Sequence, residues 1–355
     1  MQLLLKDRPL MEIYPSGECE ILDFDRLPFA LRRESVSFVD FMEWASNRTL
    51  SMGRSYAKEI LNAMRLPQTN RYAVCRACRG LSLEDSYWIR QDGDGAVWDE
   101  VNLFHNPLSL FITEVSLSGR SVFYRETIRN DKQIHTPELT TFGTSAKGWI
   151  RQDDGLYLHK IGKYEIPAHE VLEALHIPHI PYGISSGEEI LPYLSRERRE
   201  WIESVGEAVV NSFDFTTEDT AMVTFEEFAL FCDAYGLNAF EEAAGIDRER
   251  YLQMQIADYL LNNNDRHEQN WGFYMDNETG KITGFCPLFD HDHAFSDYPD
   301  IDSQTTESRM TLFEAAARAQ KELRMDLSCL GEMESPAFLN EKQWKALLER
   351  KRKLQ

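Results

Sequence analysis

Apolar residues recur at helical spacing just before residue 262, and they define the clearest helix of the sequence. Its start is marked by Asp247, whose carboxylate can accept hydrogen bonds from the first backbone N–H groups of a helix. One face of this helix is formed by Tyr251, Met254, Ala257, Leu260 and Leu261. Asn262, Asn263 and Asn264 end it, because Asn tolerates left-handed backbone and competes for backbone hydrogen bonds. Asp265 therefore opens a loop directly after a buried helix.

A β-hairpin is predicted after this loop. Residues 271–274 are aromatic and strand-like, residues 276–280 form a polar turn, and a second apolar segment covers residues 282–289. A hairpin of this kind would place Asn270 and Asp290 side by side at one end of its strands.

A lysine on an apolar strand face is the main feature of the segment from residue 155 to residue 160. Leu156, Leu158 and Lys160 share one face of the predicted strand. An unpaired buried charge is costly, so Lys160 needs an anionic partner unless its ammonium group reaches water at the strand end.

A carboxylate for this lysine can come from the next predicted helix, residues 165–175. The inner face of this helix consists of Ala168, Leu172 and Leu175. Glu165 flanks that face and is the preferred partner, with Glu170 and Glu173 as alternatives. Because Pro167 fits only the first turn of a helix, Glu165 stands at or before the helix start.

The remaining segments carry little chemistry, but they suggest an organisation in three parts. Residues 1–130 are predicted to form a mixed α/β module, residues 131–230 a smaller sheet-rich lobe, and residues 231–355 a helical lobe. In the first module, apolar spacing predicts helices over 38–44 and 56–66, and strands over 108–115 and 121–124.

The loop and the hairpin together supply the side chains that phosphoryl transfer requires. Asp265 is followed five residues later by Asn270, and Asp290 comes twenty residues after that. In phosphoryl transfer one carboxylate deprotonates the attacking hydroxyl. An amide oxygen and a second carboxylate hold the magnesium ions that bridge the nucleotide phosphates. The alternative is that Asp265 and Asn270 are ordinary loop residues that cap turns.

A glycine-containing loop, residues 140–148, is the predicted nucleotide-binding element. It combines Gly with small hydroxyl residues and one lysine, and Gly allows backbone N–H groups to approach a phosphate. The Gly-x4-Gly-Lys-Ser/Thr spacing of a P-loop is absent. Many polar turns share this composition, so the loop indicates nucleotide binding only in combination with the motifs that follow it in the sequence.

Taken in order, these segments resemble the HipA-like serine/threonine kinases, a bacterial family of toxin–antitoxin kinases and smaller stand-alone relatives. The resemblance covers about residues 134–300 and rests on Thr140–Lys147, Leu158–Lys160, Ile177–Tyr182, Asn264–Asn270 and Leu288–Asp290. Its specific part is Asp-Arg-His-x-x-Asn followed by Phe-Asp. Phosphatidylinositol lipid kinases share the first of these two motifs.

The resemblance implies an α+β, two-lobed protein-kinase-like fold with an additional N-terminal module. It also implies ATP- and Mg²⁺-dependent transfer to a Ser or Thr hydroxyl of a protein. Asp265 would be the catalytic base, and Asn270 and Asp290 would hold magnesium. Lys160, paired with Glu165, would contact the α- and β-phosphates. The other ATP-binding residues would be Thr141, Gly143, Thr144, Ser145, Lys147 and His267.

Two further properties follow from the family. Some members phosphorylate a hydroxyl of the glycine-containing loop and thereby inactivate themselves, and the candidate acceptors here are Thr140, Thr141, Thr144 and Ser145. Antitoxins of the family are DNA-binding proteins, so such a protein is the implied partner besides the protein substrate. The formal net charge of −21 disfavours direct binding to DNA or RNA, because that binding depends on neutralising phosphates.

Composition indicates where the protein is located and in which state its cysteines are expected. Apolar residues make up 43% of the chain, and no apolar run approaches the ~20 residues that span a membrane. The first residues lack the apolar core of a signal peptide, so a cytoplasmic location is expected. Cys75 and Cys78 have no second pair at zinc-site spacing, so buried, reduced thiols are expected.

A solvated basic face is predicted for Arg48, Arg54, Lys58, Arg65, Arg71, Arg76 and Arg79.

Two other functions fit parts of the sequence. A metal-dependent phosphoester hydrolase could use His267 and the run from Asp290 to His293 as metal ligands. Neighbouring side chains of a strand point to opposite faces, however, so the four residues of that run could not meet one ion. A catalytically inactive kinase fold that binds a partner is the other alternative, because His291 and Asp292 replace the Phe-Gly that usually follows the metal-binding Asp.

Overall fold

The structure, a computed structural model, describes residues 1–120, 135–296, 302, 304 and 309–355. The strands are β1 (Gln2–Leu5), β2 (Arg8–Ile13), β3 (Cys19–Ile21), β4 (Tyr87–Arg90), β5 (Lys147–Gln152), β6 (Gly155–Gly162), β7 (Tyr182–Ile184), β8 (Ala208–Phe213), β9 (Thr220–Thr224), β10 (Gly272–Asp276) and β11 (Lys281–Phe285). The helices are α1 (Phe38–Asn47), α2 (Ala57–Ala63), α3 (Arg71–Ala77), α4 (Trp98–Val101), α5 (Leu110–Ser118), α6 (Glu165–Ala174), α7 (Gly187–Ile190), α8 (Arg196–Ser204), α9 (Phe225–Ala234), α10 (Ala239–Ile246), α11 (Arg248–Leu261), α12 (Leu312–Leu323) and α13 (Glu341–Leu354).

The chain divides into two compact units, each assembled from separate stretches of sequence. Unit 1 comprises Met1–Ile161, Ser185–Met222 and Met275–Ile282, and unit 2 comprises Gly162–Ile184, Val223–Tyr274 and Thr283–Gln355. The three parts expected from the sequence stay a prediction, and the boundary after residue 130 lies outside the described residues. None of the described helices is both long enough and apolar enough to cross a membrane.

Unit 1 contains a four-stranded antiparallel sheet in the order β3-β2-β1-β4. Leu4 of β1 and Trp88 of β4 are fully buried and belong to one hydrophobic cluster with Leu156 of β6. The predicted strand at residues 155–160 is thus confirmed, and it is anchored on the core of this sheet. On its other side, β6 lies between β5 and β8.

One predicted strand is wrong. Residues 110–118 form the helix α5, which starts at the N-cap Ser109 and ends at Gly119 with a φ of 69°. Ile112, Val115 and Leu117 are all buried, so the helix is apolar on more than one side and shows no polar face. A short apolar run of this kind cannot be assigned to helix or strand from its period alone. The second predicted strand, residues 121–124, lies outside the described residues.

The basic residues of the N-terminal third do not all form a solvated face, which corrects the sequence prediction. Arg48 is 7% exposed and binds both carboxylate oxygens of Asp85, at 2.7 and 2.8 Å. Arg54 is 3% exposed and donates to the backbone carbonyls of Glu138 and Lys147, at 2.7 and 2.6 Å. Both guanidinium groups therefore hold the interior of unit 1 together.

In unit 2 the elements around Asp265 form as the sequence predicts. Asp247 caps α11 by accepting a hydrogen bond from the backbone N–H of Arg250, and Asn262 ends the helix with a φ of 56°. The predicted hairpin of β10 and β11 follows, in a sheet of order β11-β10-β9, and its tip, Met275–Ile282, belongs to unit 1. Arg350 of α13 is buried and donates twice to the carbonyl of Leu260, at 3.0 and 2.8 Å. The last turn of α11 is thus fixed from the C-terminal helix.

Candidate active site

The loop that carries Asp265 is tied to the end of α11 by hydrogen bonds. Asn263 donates from its backbone N–H to the carbonyl of Asp258 at 2.8 Å, and from its side-chain amide to the Asp258 carboxylate at 3.0 Å. The backbone N–H of Asp265 donates to the side-chain oxygen of Asn263 at 3.4 Å. The side chain of Asp265 is 40% exposed. Its carboxylate is therefore accessible to a substrate while its backbone is held in place.

Arg266 joins this loop to the segment that leads to Asp290. Its guanidinium binds the carboxylate of Asp258 at 3.0 to 3.2 Å, and the two side chains are only 8% and 4% exposed. A third nitrogen of the same group donates to the carbonyls of Asn270 at 2.6 Å and Phe289 at 2.7 Å. One buried cation thus fixes the backbone of Asn270 and of the residue that precedes Asp290.

The side chain of Asn270 is held in one orientation by a hydrogen bond to the Asp265 loop. Its amide nitrogen donates to the backbone carbonyl of Asp265 at 2.9 Å, and the residue is 6% exposed. An amide that uses its nitrogen in this way keeps its carbonyl oxygen for another donor or for a cation. Oxygen ligands of this type suit Mg²⁺.

Asp290 occupies a strained turn that is held on both sides. Its φ of 58° is uncommon for a residue with a side chain, and such conformations cluster at functional sites. Its backbone N–H donates to the hydroxyl of Tyr182 at 3.1 Å. The next N–H, that of His291, donates to the carboxylate of Glu165 at 2.9 Å. Glu165 is the first residue of α6 and is fully buried.

The run after Asp290 is a turn rather than a strand, because β11 ends at Phe285. This corrects the argument that strand alternation separates its side chains. His291 is buried beside Glu165, with 3.8 Å between its Nδ1 and the carboxylate. Asp292 and His293 instead form a cluster with Asp265, in which one ligand atom of each residue lies within 4.8 Å of the others. His293 Nε2 is 3.9 Å from an oxygen of Asp265.

A cavity of about 140 Å³ lies next to the Asp265 loop. Its polar lining includes Asp265 and His267, whose ring nitrogen Nδ1 accepts the backbone N–H of Gln269 at 3.2 Å. Its apolar lining includes Tyr251 and Trp271. The cavity thus offers an apolar surface beside an accessible carboxylate.

In unit 1, two buried lysines stand opposite each other. Lys147 of β5 and Lys160 of β6 are direct partners in the antiparallel ladder, and each is 4% exposed. Residues directly opposite in such a ladder point to the same face, where like charges destabilise the pair. His159 adds no charge to this region, because burial lowers its pKa to about 4. Both lysine side chains therefore lie on one buried face of this sheet.

The glycine-containing loop is positioned by its neighbours. Gly143 has a φ of 92°, and the Nζ atom of Lys147 lies 2.2 Å from the place that a Cβ atom would take. The hydroxyls of Thr140 and Thr141 donate to backbone carbonyls, each at 2.7 Å. Thr144 is exposed, and its carbonyl accepts the backbone N–H of Ser55 at 2.8 Å.

The predicted site residues are divided between the two units. Unit 1 holds Thr141, Gly143, Thr144, Ser145, Lys147 and Lys160, and unit 2 holds Glu165, Asp265, His267, Asn270 and Asp290. The pairing of Lys160 with a helix carboxylate stays a prediction. Of the three carboxylates considered, Glu165 alone is fully buried, whereas Glu170 is partly buried and Glu173 is exposed.

Comparison with known proteins gives a likeness in structure only. No protein-family model and no curated protein match the sequence. HipA of Shewanella oneidensis, from a complex with HipB and operator DNA, aligns with a TM-score of 0.56 and 12% identity over 99% of this chain and 95% of that one. The chain has the fold of this HipA protein. This likeness agrees with the mixture of helices and strands that the sequence predicts, while the two-lobed, kinase-like organisation stays a prediction.

A second solved structure aligns with a lower TM-score. The proinflammatory kinase CtkA of Helicobacter pylori has a TM-score of 0.40 and 18% identity, with 58% of this chain and 90% of that one covered.

Sequence reasoning missed the buried ion pair between Asp258 and Arg266. Asp258 lies four residues after Met254 and therefore on the buried face of α11. A carboxylate on an apolar helix face requires a partner, and Arg266 is the nearest cation downstream in the sequence. The pair could have been proposed from this signal. The contacts of Arg266 with the carbonyls of Asn270 and Phe289 could not have been proposed from the sequence.

Proposed function

We propose that this protein is an ATP- and Mg²⁺-dependent kinase that transfers the γ-phosphoryl group to a Ser or Thr hydroxyl of a protein. The observation that carries the proposal is the double contact of Arg266 with the carbonyls of Asn270 and Phe289. It fixes the backbone of Asn270 and of the residue before Asp290, which supports these two side chains as a pair of oxygen ligands. The shared fold with a HipA protein supports the same conclusion.

Each residue has a role that follows from its surroundings. Asp265 accepts the hydroxyl proton as the bond to phosphorus forms, because its carboxylate is accessible and its backbone is fixed. Asn270 and Asp290 hold Mg²⁺, which neutralises charge on the phosphates. Lys147 and Lys160, which share one buried face of their sheet, bind the phosphates.

The cavity lining and the exposure of individual residues also suggest where the acceptor binds and which residue is autophosphorylated. The cavity beside Asp265 is the proposed binding place for the acceptor, and its apolar lining suits the side chain that neighbours a Ser or Thr in a protein substrate. Within the glycine-containing loop, Thr144 is exposed whereas Thr140 is 1% exposed. Thr144 is therefore the proposed acceptor of autophosphorylation.

Partner and location are proposed from the same likeness. The Shewanella HipA protein was solved with HipB and operator DNA. We propose an antitoxin-type, DNA-binding partner for this chain as well, because a net charge of −21 favours a basic protein surface over nucleic acid itself. A cytoplasmic location, where ATP is present, fits this role.

The test is label transfer from γ-labelled ATP by the purified full chain, with and without Mg²⁺. Asp265→Asn should abolish transfer to the protein itself and to a generic protein acceptor, while ATP affinity changes less than about twofold. Glu268→Gln, which alters a carboxylate of the same loop, is the matched control and should keep most of the activity. Full turnover in Asp265→Asn would overturn the assignment of the base.

A metal-dependent phosphoester hydrolase is a second candidate, and the cluster of Asp265, Asp292 and His293 favours it. This candidate predicts that a phosphomonoester is hydrolysed with Mn²⁺ or Zn²⁺ in the absence of ATP. If neither label transfer nor hydrolysis occurs while ATP still binds, the chain is an inactive kinase fold that acts through a partner. Comparing the phosphoproteins of cells that express the wild type or Asp265→Asn would identify the substrate.

A further inference from the structure

Two histidines and a glutamate of unit 2 converge on and just after α6. His169 and Glu173 are one turn apart on α6 and therefore lie on the same side of the helix. His179 follows the helix, and its Nε2 lies 2.7 Å from Nδ1 of His169. One ligand atom from each of the three residues lies within 4.8 Å of the other two.

The orientation of His179 suits a metal ligand. Its Nδ1 lies 2.7 Å from the carbonyl oxygen of Ile177, and a carbonyl can only accept, so Nδ1 carries the proton. Nε2 then has a lone pair directed at His169. Metal-binding histidines are commonly held in this way, with the second ring nitrogen donating to a backbone carbonyl.

The cluster lies at the boundary between the interior of unit 2 and solvent. Both histidines are partly buried. Glu173 is exposed, so one side of the cluster is open to water as a further ligand.

We propose that His169, Glu173 and His179 form a binding site for a divalent transition metal, with Zn²⁺ as the preferred ion. Two imidazoles and a carboxylate suit Zn²⁺, whereas Mg²⁺ and Ca²⁺ prefer oxygen ligands alone. Two nitrogens bound to one tetrahedral Zn²⁺ at 2.0–2.1 Å are about 3.3 Å apart. The rings therefore need to separate by only about 0.6 Å from their 2.7 Å contact, and His169 needs its proton on Nε2.

The bound ion would stabilise the chain next to Asp290. The segment that carries His179 pairs with Leu288, through Ile180 N–H to Leu288 O at 2.8 Å and Leu288 N–H to Pro178 O at 3.0 Å. The helix that carries His169 begins with Glu165, which holds the N–H of His291. A metal ion that links the helix to the segment would therefore tie both supports of this turn together. The proposal does not depend on the reaction proposed above.

The test is a calorimetric titration of the metal-free full chain with ZnCl₂, together with thermal unfolding with and without Zn²⁺. The wild type should bind Zn²⁺ with micromolar or tighter affinity, and its Tm should rise. His169→Gln and Glu173→Gln, both on the surface side of α6, should each weaken binding at least tenfold. His176→Asn is the matched control and should bind as the wild type does, because Asn tolerates the φ of 55° at this position.

The second cluster, at Asp265, could also take up Zn²⁺, so the titrations are repeated in a His293→Asn background. There the affinity lost in His169→Gln should be the same as in the wild-type background. The visible spectrum of bound Co²⁺ should change from a tetrahedral to a six-coordinate type in His169→Gln. Absence of Zn²⁺ binding by the wild type, or equal affinity in His169→Gln, would overturn the proposal and leave a hydrogen-bonded histidine pair.

Discussion

Glu165 accepts a hydrogen bond from the backbone N–H of His291, a residue 126 positions later in the chain, at 2.9 Å. Glu165 is 0% exposed and His291 is 1% exposed, so the contact is shielded from water. His291 directly follows Asp290. Glu165, which the sequence predicts as a lysine partner, therefore fixes the turn that carries the predicted magnesium ligand Asp290.

Glu165→Gln should separate these two roles. Gln keeps an acceptor for the His291 N–H but loses the charge, so the free energy of unfolding should fall by only about 1–2 kcal/mol. Label transfer should fall at least tenfold if the carboxylate also positions Lys160. Urea unfolding and label transfer on the same preparation measure the two effects. Glu170→Gln on the same helix is the matched control, and an equal loss of activity in this variant would make Glu170 the partner instead.

Asp290→Asn should weaken nucleotide binding only when Mg²⁺ is present. Asn tolerates the φ of 58° at this position, so the variant should fold normally. It removes one negative ligand, and we expect Mg²⁺-dependent ATP affinity to fall at least tenfold, while affinity in EDTA stays the same. Calorimetry with ATP under both conditions checks this. A loss of the same size in EDTA would show that Asp290 contacts the nucleotide or the fold rather than the ion.

Local signals explain which parts of the fold could be predicted from the sequence. The end of α11 at Asn262, the hairpin after residue 270 and the start of α6 near Pro167 each depend on a few neighbouring residues. The helix α5 was missed because its apolar residues do not leave a polar face. The cross-strand pairing of Lys147 with Lys160 could have been predicted, because a two-residue turn at Asp153 and Asp154 fixes the register of β5 and β6.

The rest of the candidate site depends on contacts between distant parts of the sequence. The bond from His291 to Glu165 and the bonds from Arg266 to two carbonyls involve no pattern of residue types. Backbone carbonyls are present at every position, so a sequence does not show which of them a guanidinium will reach. Residue types indicate which chemistry to expect, and tertiary packing determines how rigidly those side chains are held.

Arg266→Lys should destabilise the loop that carries Asp265, although the charge is kept. Lys can pair with Asp258, but it lacks the planar fork that also reaches the carbonyls of Asn270 and Phe289. Two buried carbonyls would lose a donor, so we expect the free energy of unfolding to fall by about 2–3 kcal/mol and label transfer to fall with it.

Urea unfolding of Arg266→Lys and of a matched control tests this. Arg248 forms an ion pair with Glu322 in which the side chains are 51% and 41% exposed. Exposed pairs contribute about 0–1 kcal/mol, so Arg248→Lys should change stability by less than about 0.5 kcal/mol. Equal losses in the two variants would show that the carbonyl contacts of Arg266 are unimportant.

Asp214 should make the stability of unit 1 depend on pH. Burial raises its pKa from 3.8 to about 7, although Thr216 donates to the carboxylate from its N–H and its hydroxyl, at 3.1 and 2.7 Å. Between these two values the unfolded chain is ionised while the folded chain binds a proton. The free energy of unfolding therefore falls as pH rises from about 4 to about 7, by at most about 4 kcal/mol, and is then constant.

Asp214→Asn should remove this dependence, because Asn keeps the acceptor oxygen for Thr216 but cannot ionise. Urea unfolding at about pH 5 and about pH 8 should show the variant gaining stability relative to the wild type as pH rises. Asp219→Asn, at a side chain that is 87% exposed, is the matched control and should show no such gain. A difference between Asp214→Asn and the wild type that stays constant from pH 5 to pH 8 would mean that Asp214 is ionised in the folded protein throughout this range. Its carboxylate charge would then be balanced within unit 1 rather than neutralised by a proton.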